Sequence, residues 1–363
     1  MRNIRVLIVD DSLFMRTVIS RILSSAGGID IVGLAKNGKE GVQKAIELKP
    51  DIITMDIEMP IMTGIQALKE IMRVAPTRVI MVSTLTAEGA ESTIEALSIG
   101  AVDYVTKKTS NEDIESMKQI IIDKVKQFHI EETEVKKTSN FNFTQRAIFK
   151  RETDSKISKV LSRNKSLLGK PRPNPSDIKL IMIGISTGGP QSLIKLFENL
   201  PKLPVPIFIV QHMPPHFTKS FANRLDTLTE AHVKEAEEGD RFLPGNVYIA
   251  PGGRQMNITK LLKITINDKK PDNDVYAPSV NVFFNSAIEV YKHQIVGLIM
   301  TGMGNDGTSS LTRLQSLGGY VLSQDVDSSI ISGMPKSLQS AGVVDEIHSL
   351  DNLPKCLSSL FNL

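Results

Sequence analysis

The sequence is poor in several residue types. Its 363 residues include one cysteine, no tryptophan and only 5% aromatic side chains. A single cysteine, Cys356, cannot form a disulfide within the chain, which favours a packing role and a reducing setting. No stretch approaches about 18 consecutive apolar residues, and the opening MRNIRVLIVDD lacks the apolar core of a secretory signal. We therefore expect a soluble, cytoplasmic protein with no integral membrane segment.

Positive charge is concentrated in one segment of the chain. The formal net charge is +3, yet residues 136–172 contain eleven Lys or Arg side chains and two acidic ones. The remainder is mildly acidic, which argues against nucleic acid as the main partner. The segment is also rich in Ser, Thr and Asn, a composition typical of a flexible linker. Its charge indicates either a solvated tether or a contact with an acidic partner or membrane surface. We place the boundaries at a first domain over 1–128, a basic linker over 129–176 and a second domain over 177–363.

The first domain alternates short apolar runs with helix-patterned sequence. This pattern predicts five βα units and a parallel sheet. The five runs are IRVLIV (4–9), IDIVGLA (29–35), DIITM (51–55), RVIMVS (78–83) and AVDYVT (101–106).

Polar side chains stand at the carboxyl ends of these runs. Asp10 and Asp11 follow the first run, and Asp56 follows the third. Ser83 ends the fourth, and Lys107 follows the fifth. These ends meet at one edge of a doubly wound sheet, where three carboxylates repel one another unless a divalent cation and a lysine offset them. Each aspartate alone is also a common turn former. The five together predict a Mg²⁺ site with Asp56 free to attack a phosphoryl group.

The motifs VDDS, MDIEMP, MVST and DYVTK resemble the receiver domain of bacterial response regulators, over about the first 125 residues. The resemblance implies a flavodoxin-like fold, phosphorylation of Asp56 and a histidine kinase as phosphodonor. It implies a Mg²⁺ site formed by Asp10, Asp11, Asp56 and the backbone carbonyl of Glu58.

The same resemblance assigns three further residues to the phosphorylation switch. Ser83 is the hydroxyl that follows the phosphoryl group, Tyr104 the aromatic switch and Lys107 the phosphate partner. Receivers usually have proline after that lysine, whereas this chain has Lys108.

The second domain again alternates strand and helix patterns, which predicts a second doubly wound parallel sheet, Rossmann-like, with both faces covered. Its apolar runs are KLIMIGI (179–185), VPIFIVQ (205–211) and IVGLIMT (295–301).

The turn after the first of these runs holds Ser186 in the pattern G-x-S-x-G. Such a turn either cradles a phosphate or projects a serine nucleophile. A dinucleotide site needs an acidic residue at the end of the next strand, and that run ends instead at Gln211 and His212. His212 is the preferred general base, with His216 as a rival. Asp306, after the third run, is placed to orient the imidazole, although it could equally cap a helix.

The motifs GISTGGP, QHMPPHFTKSFANRL, PGNVYIAPGG, PSVNVFFNSA, TGMGNDG and ISGMPKS resemble the chemotaxis protein-glutamate methylesterases, a receiver joined to an esterase domain. The resemblance implies hydrolysis of glutamate methyl esters on methyl-accepting chemoreceptors, often with deamidation of receptor glutamines. It assigns a triad to Ser186, His212 and Asp306 and an anion hole to the amides of Thr187 and Met303. It requires no cofactor for the ester chemistry, and it implies recruitment from the cytoplasm to membrane receptor arrays.

Other classes of function fit the sequence less well. A transcriptional regulator needs a helix-turn-helix with a basic face, and none is evident after residue 177. An adaptor with an inactive site differs from an enzyme only in whether Ser186 reacts. One departure from the family concerns Gln255, where relatives often have histidine, so a role facing the substrate stays open at this position.

Overall fold

The computed structural model describes residues 2–107, 114, 117–128, 170–268 and 276–363. Lys108 and residues 129–169 of the predicted linker lie outside these ranges. Within them, no helix has both the length and the apolar character needed to cross a membrane.

The first domain is a five-stranded sheet in the order β2-β1-β3-β4-β5, with every strand pair parallel. Its strands have almost no exposed side chains in their centres, as expected for a sheet covered on both faces. The elements are β1 (Ile4–Val9), α1 (Leu13–Ser24), β2 (Ile29–Ala35), α2 (Gly38–Leu48), β3 (Ile52–Asp56), α3 (Gly64–Val74), β4 (Arg78–Ser83), α4 (Ala87–Ile99), β5 (Asp103–Thr106) and α5 (117–128).

Side-chain caps fix where the helices of this domain begin. The Ser12 hydroxyl accepts a hydrogen bond from the Met15 amide at the start of α1. At the start of α3, Thr63 and Gln66 form a reciprocal capping box. These caps satisfy amides that lack intrahelical partners, and they start each helix next to the sheet edge that carries the polar residues.

The second domain is a seven-stranded parallel sheet in the order β14-β13-β12-β6-β7-β9-β8, with a separate antiparallel hairpin, β10-β11. The reversal of chain order on either side of β6 brings the ends of β12, β6 and β7 together. The elements are β6 (Leu180–Ile185), α6 (Gly189–Phe197), β7 (Ile207–Gln211), α7 (Phe217–Asp226), β8 (His232–Glu235), β9 (Asn246–Ile249), β10 (Gln255–Ile258), β11 (Ile264–Asn267), α8 (Val280–Tyr291), β12 (Ile295–Ile299), α9 (Thr308–Ser316), β13 (Tyr320–Gln324), α10 (Gly333–Ser340), β14 (Glu346–His348) and α11 (Leu353–Ser359).

The fold class predicted from the sequence is confirmed. The runs 4–9, 29–35 and 78–83 are strands over the same residues, and the other runs differ from the observed strands by up to two residues at an end. One difference matters for the chemistry, because Asp56 is the last residue of β3 rather than the first residue after it.

The last residues of the predicted linker contact the second domain. Arg172 forms two hydrogen bonds with the Glu346 carboxylate, at 2.5 and 2.6 Å, and a third with the Ser359 hydroxyl. Lys170 donates to the carbonyl of Gly318. The segment from residue 170 onward is therefore fixed to the sheet edge at β14.

The two domains contact each other through α4 and β5 on one side and α6 and α7 on the other. The ring of Tyr104 stacks on that of Phe217, with centroids 4.7 Å apart and planes 11° from parallel. The Gln191 amide donates to the carbonyls of Leu97 and Ala101 across the same boundary. The interface thus has an aromatic centre and polar contacts that fix its register.

We predict that Gly64→Ala destabilises the first domain by about 3 kcal/mol. A Cβ there would lie 1.9 Å from the Asp56 carbonyl oxygen, and moving this backbone atom away costs free energy. The matched control is Gly27→Ala, where nothing lies within 4 Å and a φ of +63° costs about 1 kcal/mol. Denaturant unfolding of the full chain measures both. Equal losses would show that the close approach at Gly64 is not a constraint.

Candidate active site

Ser186 lies directly after β6, at the start of a sharp turn into α6. The turn needs two glycines for different reasons. Gly188 has a φ of +75°, and a Cβ at Gly189 would lie 1.9 Å from the Gln211 side-chain oxygen. The turn leaves Ser186 only 9% exposed, with its hydroxyl at the carboxyl edge of the sheet.

His212 follows β7, the strand that pairs with β6. Its Nδ1 lies 3.0 Å from the Ser186 Oγ. Its imidazole also stacks on the ring of Tyr276, with centroids 4.0 Å apart and planes 6° from parallel. The rival histidine, His216, is the residue before α7 and has a φ of 72°. The structure therefore brings His212 to the serine, through neighbouring parallel strands.

Asp306 completes a chain of three side chains, because its Oδ2 lies 2.9 Å from the His212 Nε2. The same carboxylate accepts hydrogen bonds from the amides of Val280, at 2.7 Å, and Asn281, at 2.9 Å. It thus caps α8, whereas its own helix α9 is preceded by Gly307 with no side-chain cap. The Asp306 carboxylate therefore does both things that the sequence left open, because it caps a helix and orients the imidazole. The helix that it caps, α8, and the strand that His212 follows, β7, lie far apart in sequence.

The hydrogen bonds to Asp306 keep it charged in a buried place. Burial acts to raise the pKa of Asp306, but the contact with His212 and the two backbone amides outweigh it, so the pKa lies below its usual value. An ionised carboxylate can only accept a hydrogen bond. This assigns the imidazole hydrogen to the His212 Nε2, which donates to Asp306. The lone pair of Nδ1 then faces the Ser186 hydroxyl.

Two backbone amides lie beside the serine without a partner. Thr187 and Met303 line the same cavity as Ser186 and His212. Among the residues that the structure describes, neither of their amides donates a hydrogen bond. Unpaired amides next to a nucleophile are suited to binding a developing negative charge.

The serine and histidine of the triad face a cavity of about 550 Å³ between the two domains. Ser186 and His212 line one side of it, and Tyr104, Met117 and Lys124 of the first domain line the other. In this arrangement the first domain covers the serine.

Gln255 and Tyr276 support the site from behind. Gln255 is 2% exposed, and its amide nitrogen donates to the Tyr276 carbonyl while its oxygen accepts from the Ser279 amide. The question left open by the sequence is resolved, because this side chain clamps two backbone segments rather than facing the substrate cavity. The stacking of Tyr276 on His212 was not anticipated, and no local pattern indicates it.

A second polar cluster lies at the carboxyl edge of the first sheet. One carboxylate oxygen each from Asp10, Asp11 and Asp56 lies within 4.8 Å of the others. The Lys107 ammonium lies 3.2 Å from Asp10 and 2.7 Å from Asp56. Burial raises the pKa of Asp56 to about 6, partly opposed by Lys107. The structure thus brings together the carboxylates and the lysine that the sequence indicated.

This cluster fits a hard divalent cation. The Oδ2 atoms of Asp10 and Asp56 are buried, and despite the nearby ammonium neither accepts a well-directed hydrogen bond from the described residues. Glu58 and Ser83 line the adjoining cavity of about 600 Å³. Oxygen-only ligands with unsatisfied lone pairs are the donors that Mg²⁺ prefers.

The Ser83 hydroxyl donates to the Gly89 carbonyl at the start of α4, 3.0 Å away. Tyr104, on the neighbouring strand β5, is buried against Phe217 of the second domain. Of the predicted switch residues, Lys107 and Ser83 lie at the carboxylate cluster, whereas Tyr104 lies at the contact with the second domain.

Comparison with known proteins agrees with this architecture of a receiver joined to an esterase. The model of the response regulator receiver domain matches residues 6–119, and that of CheB methylesterase matches residues 181–357. The chain belongs to the CheB methylesterase family.

Relatives match over nearly their whole length. A protein-glutamate methylesterase/protein-glutamine glutaminase of Thermotoga maritima is 42% identical over 99% of both chains. One from Archaeoglobus fulgidus is 40% identical over 94% of both. The crystal structure of the T. maritima CheB methylesterase catalytic domain, 41% identical, covers 50% of this chain and 98% of its own, with a TM-score of 0.48.

We predict that Tyr276→Ala lowers kcat for ester hydrolysis about tenfold with a smaller change in KM, because the imidazole loses the ring that fixes its plane. Tyr276→Phe keeps the ring and is expected to restore the rate. Methanol release measures both constants, and unfolding curves verify the fold. A loss of the same size in Tyr276→Phe would mean that the hydroxyl, and not stacking, matters.

Proposed function

We propose that this protein hydrolyses glutamate γ-methyl esters on chemoreceptors, and deamidates receptor glutamines, under control of phosphorylation at Asp56. The observation that carries the proposal is the continuous chain from the Ser186 hydroxyl through His212 to Asp306, with contacts of 3.0 and 2.9 Å. Nucleophile, base and orienting acid in hydrogen-bond contact are what acyl transfer requires.

In the first half-reaction, His212 Nδ1 takes the proton of Ser186 as its oxygen attacks the ester carbonyl. The negative charge that develops on the carbonyl oxygen is stabilised by the amides of Thr187 and Met303. Collapse of the tetrahedral intermediate expels methanol, which receives the proton from His212, and leaves an acyl-enzyme.

In the second half-reaction, water attacks the acyl-enzyme with His212 again as base. This step frees the glutamate side chain of the receptor as a carboxylate and restores the serine. Asp306 stays ionised throughout and stabilises the imidazolium, since its amide contacts favour the charged carboxylate. A glutamine side chain follows the same path with ammonia as the leaving group.

The receiver cluster supports phosphorylation at Asp56. Asp10, Asp11, Asp56 and the carbonyl of Glu58 would hold Mg²⁺, which when bound neutralises charge on the phosphoryl oxygens. Lys107 holds its ammonium 2.7 Å from Asp56, where it pairs with the phosphoryl group. A histidine kinase of the chemotaxis system supplies that group.

The covered cavity supports regulation by occlusion. The resting receiver lies over Ser186, so a helical receptor segment has no access. The change in Ser83 and Tyr104 on phosphorylation weakens the stack on Phe217, because Tyr104 belongs to both the switch and the interface. A difference in interface free energy of about 1–3 kcal/mol changes the open population roughly 5- to 150-fold.

We expect Ser186→Ala and His212→Ala each to lower methanol release from methylated receptor membranes about 10³-fold or more, and the double variant to be little worse, because the two act as a unit. Asp306→Asn should be milder. His216→Ala is the matched control, a histidine near the site that lies outside the triad. Near-normal turnover in His212→Ala together with loss in His216→Ala would reverse the assignment of the base.

We expect a small phosphodonor with Mg²⁺ to stimulate the intact protein and Asp56→Asn to abolish the stimulation. A fragment starting at Lys170, which keeps the Arg172 contacts, should exceed the resting chain. Tyr104→Ala should raise resting activity, since it removes the interface ring, whereas Tyr104→Phe keeps the ring and should not. Methanol release at equal protein concentration compares them. A fragment no faster than the resting chain would eliminate occlusion.

A further inference from the structure

A lobe at the β8 edge of the second domain exposes apolar side chains. It consists of the loop over residues 239–243 and the hairpin β10-β11 with its tip. Leu243, Leu261 and Leu262 are 57, 80 and 50% exposed, respectively. Leu262 also has a φ of 57°, a conformation normally left to glycine or asparagine. Exposed leucines, one of them in an unfavourable backbone conformation, have no explanation in the packing of this domain.

Two cations face each other on the same lobe. Arg241 and Lys263 are partners in an antiparallel bridge, so their side chains project from the same face. Like charges directly opposite each other are destabilising. Within the described ranges, neither side chain has a carboxylate within ion-pair distance.

The acidic side chains of the lobe are engaged elsewhere. Asp240 pairs with Lys234, and Asp268 pairs with Arg254. Glu238 accepts a hydrogen bond from the Ile266 amide. Among the described residues, then, no acidic side chain neutralises the two facing cations.

Leucines and cations form one surface. Leu243 lies two residues from Arg241, and Leu261 and Leu262 lie within two residues of Lys263, so the exposed leucines and the bridged basic pair belong to the same end of the lobe. A surface with apolar side chains beside two cations that lack an acidic partner among the described residues matches an amphipathic segment that carries carboxylates.

The lobe is connected to His212 through one hydrogen bond and one ring stack. Gln255, at the start of β10, donates to the carbonyl of Tyr276, whose ring stacks on His212. From Gln255 to the tip at Thr259 is about 13 Å of extended chain. The tip therefore lies within about 13 Å of the residue that holds the Tyr276 backbone in place.

We propose that this lobe is an exosite that binds the acidic helical segment of the receptor substrate, through Arg241 and Lys263 to its free glutamates and through Leu243, Leu261 and Leu262 to its apolar side. The inference rests on the proposed function, because hydrolysis of glutamate esters yields carboxylates on that segment. The leucines stay exposed while the receiver covers Ser186. The resting enzyme therefore docks on its receptor before it is activated.

The test uses the full chain with phosphodonor and Mg²⁺ and compares two substrates, a methylated receptor fragment in solution without lipid and a short peptide with one glutamate γ-methyl ester. We expect Arg241→Glu/Lys263→Glu, and separately Leu261→Ser/Leu262→Ser, to lower the ratio of kcat/KM for receptor to that for peptide about tenfold, mainly through KM. The matched control is Leu317→Ser/Lys355→Glu, exposed residues away from the lobe.

The outcomes separate the two proposals. Wild-type release of methanol from receptor and peptide tests the esterase function itself. An unchanged ratio in both lobe variants, with an active wild type, overturns the exosite alone. A loss seen only with membrane-embedded receptor, together with binding of the wild type to protein-free anionic vesicles, overturns it in favour of a lipid surface. Co-sedimentation of the resting Asp56→Asn chain with receptor membranes, lost in the lobe variants, supports docking before activation.

Discussion

The candidate active site depends on the hydrogen bonds that the buried carboxylate of Asp306 accepts. It joins His212 to the first amides of α8, so one charge both orients the imidazole and caps a helix. The helix N-terminus favours negative charge there, which offsets the cost of burying it. Because α8 is also fixed to the hairpin through Gln255 and Ser279, catalytic geometry and the structure of the lobe share one support.

The interface between the domains depends on a second shared element. Tyr104 stacks on Phe217 from β5, the strand that Lys107 of the carboxylate cluster directly follows. The interface combines this aromatic stack, the polar contacts of Gln191 and the packing of α4 against α6 and α7. Arg172 is fixed to Glu346 of the second domain, and because both domains belong to one chain, the first stays at a raised effective concentration near the second.

Much of this organisation follows from the sequence, because polar residues that follow parallel strands all lie at the same edge of the sheet. That rule is enough to bring Ser186 and His212 together across β6 and β7, and to gather the three aspartates of the receiver. It does not extend to Tyr276, whose contact with His212 depends on a loop fixed from 21 residues away by Gln255. The lobe was also missed, since β10 and β11 are four residues each and lack a clear alternation. The pairing of β10 with β11, and the position of Arg241 opposite Lys263, are determined by the tertiary structure.

The covered cavity has a consequence for chemical selectivity in the resting state. Its volume of about 550 Å³ lies within the range of pockets that enclose small molecules. An α-helix with its side chains is about 10 Å across, and a receptor bundle is wider still. The cavity beside Ser186 is therefore large enough for a low-molecular-weight acylating agent and too small for a helical receptor segment.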